Sequence, residues 1–291
     1  MNVSLLHSLH YEVLLSFSLY KRQTHLKYLT ISKEWYEQTK KNISSELHDE
    51  IISLEDLEFE DFSVFLIEET PYKTDFHAYM NWLSKLSVGE LYEIIAPFAT
   101  NKKKIPPNLD KRRRLHVSLL SKWYKEYFQS IEHEIGFIIQ KNVTQATTMD
   151  FSKNTYRKIE ALSKGLVFDN YELTNITLIP TWHFRPLSLH DIFGKKAFIT
   201  FPCALHDEQE TLLITKALAE QKRLQMIQHI KTEEKTFTEL VEVMGMTKGN
   251  IHHHLLLLRS AGLLRMRPSK QDYFLYQFRK ERLNDLSHYL S

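Results

Sequence analysis

One cysteine, Cys203, stands in 291 residues. A lone thiol closes no internal disulfide and supplies no cysteine finger or paired-thiol metal site, which fits a reducing, cytoplasmic setting. Glycine and proline are scarce as well, at 7 and 8 residues, so turn-rich architectures are disfavoured and long helices are expected. No run reaches the roughly 20 apolar residues of a membrane span. The amino terminus lacks the basic start of a signal peptide, and His7, His10 and Glu12 interrupt its apolar residues. Net charge is nearly absent, with a formal value of +2, so an argument for nucleic acid must rest on where basic residues cluster. There is no phosphate-binding glycine loop, no nucleophile elbow and no paired zinc-ligand motif, and the chain reads as a non-enzyme without a cofactor.

What is present concentrates between Thr236 and Leu258, TFTELVEVMGMTKGNIHHHLLLL. Thr236 and Glu239 have capping-box spacing and start a helix in which Leu240, Val243 and Met244 repeat at helical intervals. Gly245 supplies a left-handed residue to end it. Thr247 can cap a second helix, where Ile251, Leu255 and Leu258 fall on one side and Gly249, Asn250, His253 and Leu256 on the other. An apolar inner face under a small, hydrogen-bonding outer one suits a helix that enters the major groove, although an ordinary helical hairpin shares the turn geometry. Beyond Arg259, an extended run at Leu263-Leu264, the cations Arg265, Arg267 and Lys270, and a return run at Tyr273–Tyr276 read as a β-hairpin wing with a basic tip.

Three segments, LAEQKRLQMIQHI at 218–230, FTELVEVMGMTKGNIHHHLLLLRSAGLL at 237–264 and the return strand QDYFLYQF, closely resemble, nearly residue for residue and in the same order, the winged helix of the arsenical-resistance-repressor (ArsR) family. The resemblance covers about residues 208–291. Two departures stand out: Gly249 where the family often has Ser or Asn, and Leu256 where it often has Lys or Arg. The resemblance implies a dimeric transcriptional regulator, more often a repressor than an activator, bound to double-stranded DNA. It assigns Thr247, Lys248, Gly249, Asn250, His252, His253 and Arg259 to the recognition helix and Arg265, Arg267 and Lys270 to wing contacts. It implies pairing through the flanking helices, where Leu212, Leu213, Leu283, Leu286 and Leu290 are available for a seam.

Upstream, helical spacing predicts an opening helix over Val3–Leu19, helices after Ser32 and Ser44, one from Phe59 to Glu69, one from Asp75 to Leu86, and one opened by a capping box at Ser87–Glu90. NKKKIPPNLDKRRR, 101–114, reads as a solvated basic loop leading into a long helix over Leu115–Gln140, with Leu119, Trp123, Tyr127, Ile131 and Ile138 near one face. A further helix spans Ser152–Lys164. Between Leu166 and Cys203 the pattern changes to three short strands, and PTWHFRP resembles the strand segment preceding the winged helix in long ArsR-like regulators. The expected fold is mostly α with small β (α+β). It comprises a helical domain (1–165), a strand-rich connector (166–206) and a winged helix (207–291).

His252, His253 and His254 diverge by about 100° each along a helix and cannot converge on one metal ion; His254 is expected to pack sideways as a structural residue. Asp285 and His288 are half of a family metal set whose remaining ligands are missing. His183, His190 and His206 flank the strands without a fixed mutual geometry. The 31 Phe and Tyr residues could line a pocket for a small-molecule effector in the amino-terminal domain, with core packing the default. An interaction module whose winged helix docks a protein through an exposed Leu256 is the alternative to DNA binding.

Overall fold

The computed structural model describes residues 1–99 and 104–290, with side chains to 287. Strand β1 (Asn2–Leu5) leads into α1 (Leu9–Arg22), which Ser8 caps. A 3-10 turn at Leu26–Tyr28 precedes α2 (Ser32–Asn42) and α3 (Ser45–Ile52). Then come α4 (Glu58–Glu69), α5 (Phe76–Lys85) and α6 (Val88–Ile95), the last opened by the expected Ser87–Glu90 capping box. Helices α7 (Leu109–Glu126), α8 (Glu132–Thr147) and α9 (Thr155–Leu162) complete this part. Strands β2 (Asn175–Thr181), β3 (His190–Phe193) and β4 (Lys196–Pro202) follow. Helices α10 (Asp207–Leu218) and α11 (Gln221–Ile230), strand β5 (Lys235–Thr236), helices α12 (Phe237–Met244) and α13 (Lys248–Ser260), strands β6 (Leu264–Pro268) and β7 (Phe274–Phe278), and helix α14 (Arg282–Leu290) end the chain. No helix among the described residues is long and apolar enough to cross a membrane.

The middle layer is a four-stranded sheet in the order β1-β2-β4-β3, parallel except for β3 against β4. Its two faces bury different cores. Ile179, Phe193 and Phe198 pack with α1 and α4–α7, while Ile176, Leu178, Ala197, Ile199 and Phe201 pack on the side of the winged helix. Period-two alternation sends successive residues to opposite faces, and because both faces are covered every residue of β2 after Asn175 and of β4 after Lys196 is buried.

Three expectations are corrected. The opening helix starts at Leu9, not Val3, because Asn2–Leu5 pair with Asn175–Leu178; a partner strand 173 residues away leaves no local trace. The long helix over Leu115–Gln140 is two helices broken by a 3-10 turn at Phe128–Ser130. No Pro or Gly marks that break, and it moves the buried stripe to Ile135, Ile139 and Val143. The basic run Lys111–Arg114 lies in the first turns of α7 rather than in a loop. Arg112 pairs with Asp56 at 2.5 Å, and Arg113 and Arg114 both reach Asp110 at 2.6 Å. Residues 101–103 of the expected loop fall outside the described residues.

Candidate nucleic-acid interface

Local chemistry sets the two helices of the motif. The Thr236 hydroxyl accepts from the Glu239 amide (3.2 Å) while the Glu239 carboxylate accepts from the Thr236 amide (2.7 Å), so two orphan donors of α12 are satisfied reciprocally. Gly245, at φ 59°, ends α12 in the left-handed conformation. Thr247 then caps α13, accepting from the Asn250 amide at 3.3 Å. Ile251, Leu255 and Leu258 are buried in the core shared with Leu240 and Ile230. This fixes the helix's rotation and leaves Thr247, Lys248, Gly249 and Asn250 exposed on its first turn. A Cβ at Gly249 would meet nothing within 4 Å.

The second half of α13 is covered from an unexpected direction. His253 Nδ1 lies 2.8 Å from the Tyr28 hydroxyl, and the His252 and His25 rings stand 6.2 Å apart. Leu256, expected on the outward face, is 5% exposed and belongs to an apolar cluster with Leu15, Leu19, Leu26, Leu29, Phe184 and Leu187. Enclosing a leucine in this way contributes about 1.5–3 kcal/mol, so Leu256 is an anchor rather than a docking surface. Arg259 donates to the Ser188 carbonyl. Burial lowers its guanidinium to about 10, which leaves it charged at neutral pH but committed to the backbone. His254 is buried with Nδ1 3.2 Å from the Glu220 carboxylate, and burial, the largest influence, lowers its pKa. It packs against the start of α11.

A buried network fixes the segment that carries Ser188. Glu12 accepts from the Trp182 amide at 3.1 Å and the His183 amide at 2.6 Å and sits 2.5 Å from His183 Nδ1. His183 Nε2 is 2.6 Å from the Tyr127 hydroxyl, which accepts from Trp35 Nε1 at 2.7 Å. His183 is therefore a pin between α1, α2 and α7 behind the recognition helix. Buried hydrogen bonds of this kind are costly to leave half-made in a dry interior.

The wing is anchored more than its basic composition suggests. Arg265 binds Glu160 and Glu281, each at 2.8 Å. Arg267 binds Glu234 at 3.0 Å and pairs with Asp169. Of the three wing cations only Lys270 is exposed. The backbone adds to the anchoring: the Met266 amide donates to the Gly165 carbonyl at 2.7 Å and the Val167 amide to the Met266 carbonyl at 3.0 Å. Gly165 adopts φ 122°, and a Cβ there would lie 1.9 Å from the Leu264 carbonyl oxygen.

On the flanking helices Leu212 and Leu283 are exposed, whereas Leu213 and Leu286 turn partly into the winged-helix core. The side chains of Leu290 and His288 lie outside the described residues. Asp285 is paired with Arg282 at 2.7 Å, and among the described residues no three metal-ligating side chains converge.

A capped helix, a glycine turn, a second helix exposed at its head and a two-stranded hairpin, packed in that order, make a winged helix-turn-helix, the class of fold that presents a helix to the DNA major groove. Residues 213–265 match the family model of the bacterial regulatory protein, arsR family. Over those residues the chain is thus similar to the DNA-binding element of arsR-family regulators, which supports a DNA-binding transcriptional regulator. Among solved structures it is similar to NolR from Sinorhizobium fredii, at 25% identity over 28% of this chain and 84% of that one, with a TM-score of 0.25. It is also similar to HlyU from Vibrio cholerae, at 23% identity over 30% of this chain and 97% of that one, with a TM-score of 0.25. No curated protein matches the chain.

Proposed function

We propose that the protein is a sequence-specific repressor that binds a pseudo-palindromic operator in double-stranded DNA as a homodimer. The observation that carries this reading is the head of α13. There Thr247, Lys248, Gly249 and Asn250 are exposed together, at the end of a recognition helix that ordinarily contacts base edges. Asn250 is the side chain suited to pair with an adenine edge, and Lys248 and Lys270 are the exposed cations for phosphate. Leu212 and Leu283 supply an apolar seam on α10 and α14, and a two-fold axis there would set two recognition helices about 34 Å apart, one DNA turn. A cleft of about 320 Å³ between α1, α4 and β3–β4, lined among others by Tyr11, Arg22, Asp61 and Asp191, is the place a small-molecule effector would occupy. The rival reading, protein docking through the winged helix, needed an exposed Leu256 and loses its support with that residue buried.

The test is a titration of the full chain against a duplex selected from a random-sequence pool, repeated from about 50 to 200 mM salt, with sedimentation of the free protein alongside. Binding that neutralises several phosphates must weaken by orders of magnitude over that range. Absent or salt-insensitive binding would overturn the DNA reading, and a strict monomer binding with full affinity would overturn the dimer.

A further inference from the structure

We propose that the connection between α1 and α2 is a third DNA-contacting element beside the recognition helix and the wing, with Lys27 taking a backbone phosphate; this rests on the DNA-binding reading above. Residues 252, 253 and 256 continue along α13 the stripe that begins at Lys248 and Gly249. The chain that meets this stripe is the 3-10 turn at Leu26–Tyr28 and its neighbour His25. Whatever backbone passes the exposed first turn of α13 therefore runs beside this connection.

Charge points the same way. Arg265 and Arg267 are held by Glu160, Glu281, Glu234 and Asp169, and Arg259 is held by the Ser188 carbonyl. Lys27 differs from them. It is exposed, its ammonium stands 4.8 Å from the centre of the Tyr28 ring, and no carboxylate among the described residues pairs with it. Its charge acts on His253, where it joins burial, the larger influence, in lowering the imidazole's pKa. A cation beside the reading helix with no internal carboxylate to neutralise it is what phosphate contact requires.

The mount is also fixed. Leu26, Tyr28 and Leu29 are buried in the same cluster as Leu256 and α1's Leu15 and Leu19. The connection cannot swing aside without opening that cluster, so Lys27 keeps its place relative to Asn250. A connection in this position that instead blocked DNA would make its removal favourable, and the two possibilities give opposite signs.

The experiment compares wild type, Lys27→Ala and Lys27→Glu as full chains, by fluorescence anisotropy on a selected and a scrambled duplex across a salt series. Melting curves check that an exposed substitution leaves the fold unchanged. Lys27→Ala is expected to weaken binding to both duplexes by roughly 5- to 10-fold at 0.1 M salt and to lower the salt slope by about 0.9 per site; Lys27→Glu should weaken it further. Unchanged affinity and slope would overturn the proposal, and tighter binding would overturn it in favour of an inhibitory connection. Wild type that binds neither duplex would overturn the DNA reading itself, and this proposal with it.

Discussion

Tyr28 and His253 are 225 residues apart in the chain and 2.8 Å apart in space. That bond places a side chain of the amino-terminal helices directly on the recognition helix. The winged helix is therefore mounted on its helical partner through Leu256, His253 and Arg259, and the first turn of α13 stays exposed.

Stability should be pH-sensitive. His10, His25, His253 and His254 all have their pKa lowered below the ordinary 6.5, with burial the largest cause in each. The unfolded chain therefore takes up these protons first as pH falls, and the folded state loses stability in that window. Their contribution is complete above about 6.5 and declines below it. Melting temperature should be flat above pH 7 and fall between about pH 6.5 and 5, less steeply in His253→Asn. A melting temperature that rises over that interval would contradict this.

Gly165 stands where the connector crosses the wing. Gly165→Ala puts a Cβ against the Leu264 carbonyl oxygen at a φ that L residues rarely adopt. The expected cost is on the order of 3 kcal/mol in urea unfolding. A loss below about 1 kcal/mol would mean that the wing does not hold this backbone.

Gly249 is the opposite case, a helical glycine with open space around it. Gly249→Ala should stabilise the protein by up to about 1 kcal/mol, since only backbone freedom is removed. Destabilisation would show that the head of α13 is more crowded than the geometry allows.

The two kinds of wing cation should separate. Arg267→Ala leaves Asp169 and Glu234 without their partner, so unfolding should register about 0.5–1 kcal/mol of lost stability while the salt slope of DNA binding stays put. Lys270→Ala should do the reverse, leaving stability unchanged and lowering the slope by about 0.9. An exchange of these outcomes would mean that Arg267, and not Lys270, is the wing cation that contacts DNA.

The sequence was most legible where structure is local. Capping at Thr236, Gly245 and Thr247 and the Ile251–Leu255–Leu258 stripe set the helix-turn-helix from their own neighbours. β1 was not legible because its alternation is short and its partner distant. The break at Phe128–Ser130 was hidden because apolar residues continue through it. At the site, the basic residues of 265–267 read as free charge, since Glu160, Asp169 and Glu234 join them only through the fold. Leu256 carried the one usable signal of the missed contact: an apolar residue on a face expected to be polar. His25, Lys27 and Tyr28 sit in a short, mostly polar stretch, KRQTHLKY, that nothing in the sequence ties to α13.

The most direct test of the account is Asn250→Ala, measured by fluorescence anisotropy on a selected duplex and on its scrambled counterpart at several salt concentrations. If the head of α13 reads base edges, the selected duplex should lose about 1–3 kcal/mol of binding while the scrambled one changes by less than about twofold, and the salt slope should not move. Equal weakening on both duplexes, or no weakening on either, would contradict the assignment of sequence reading to the exposed first turn of the recognition helix.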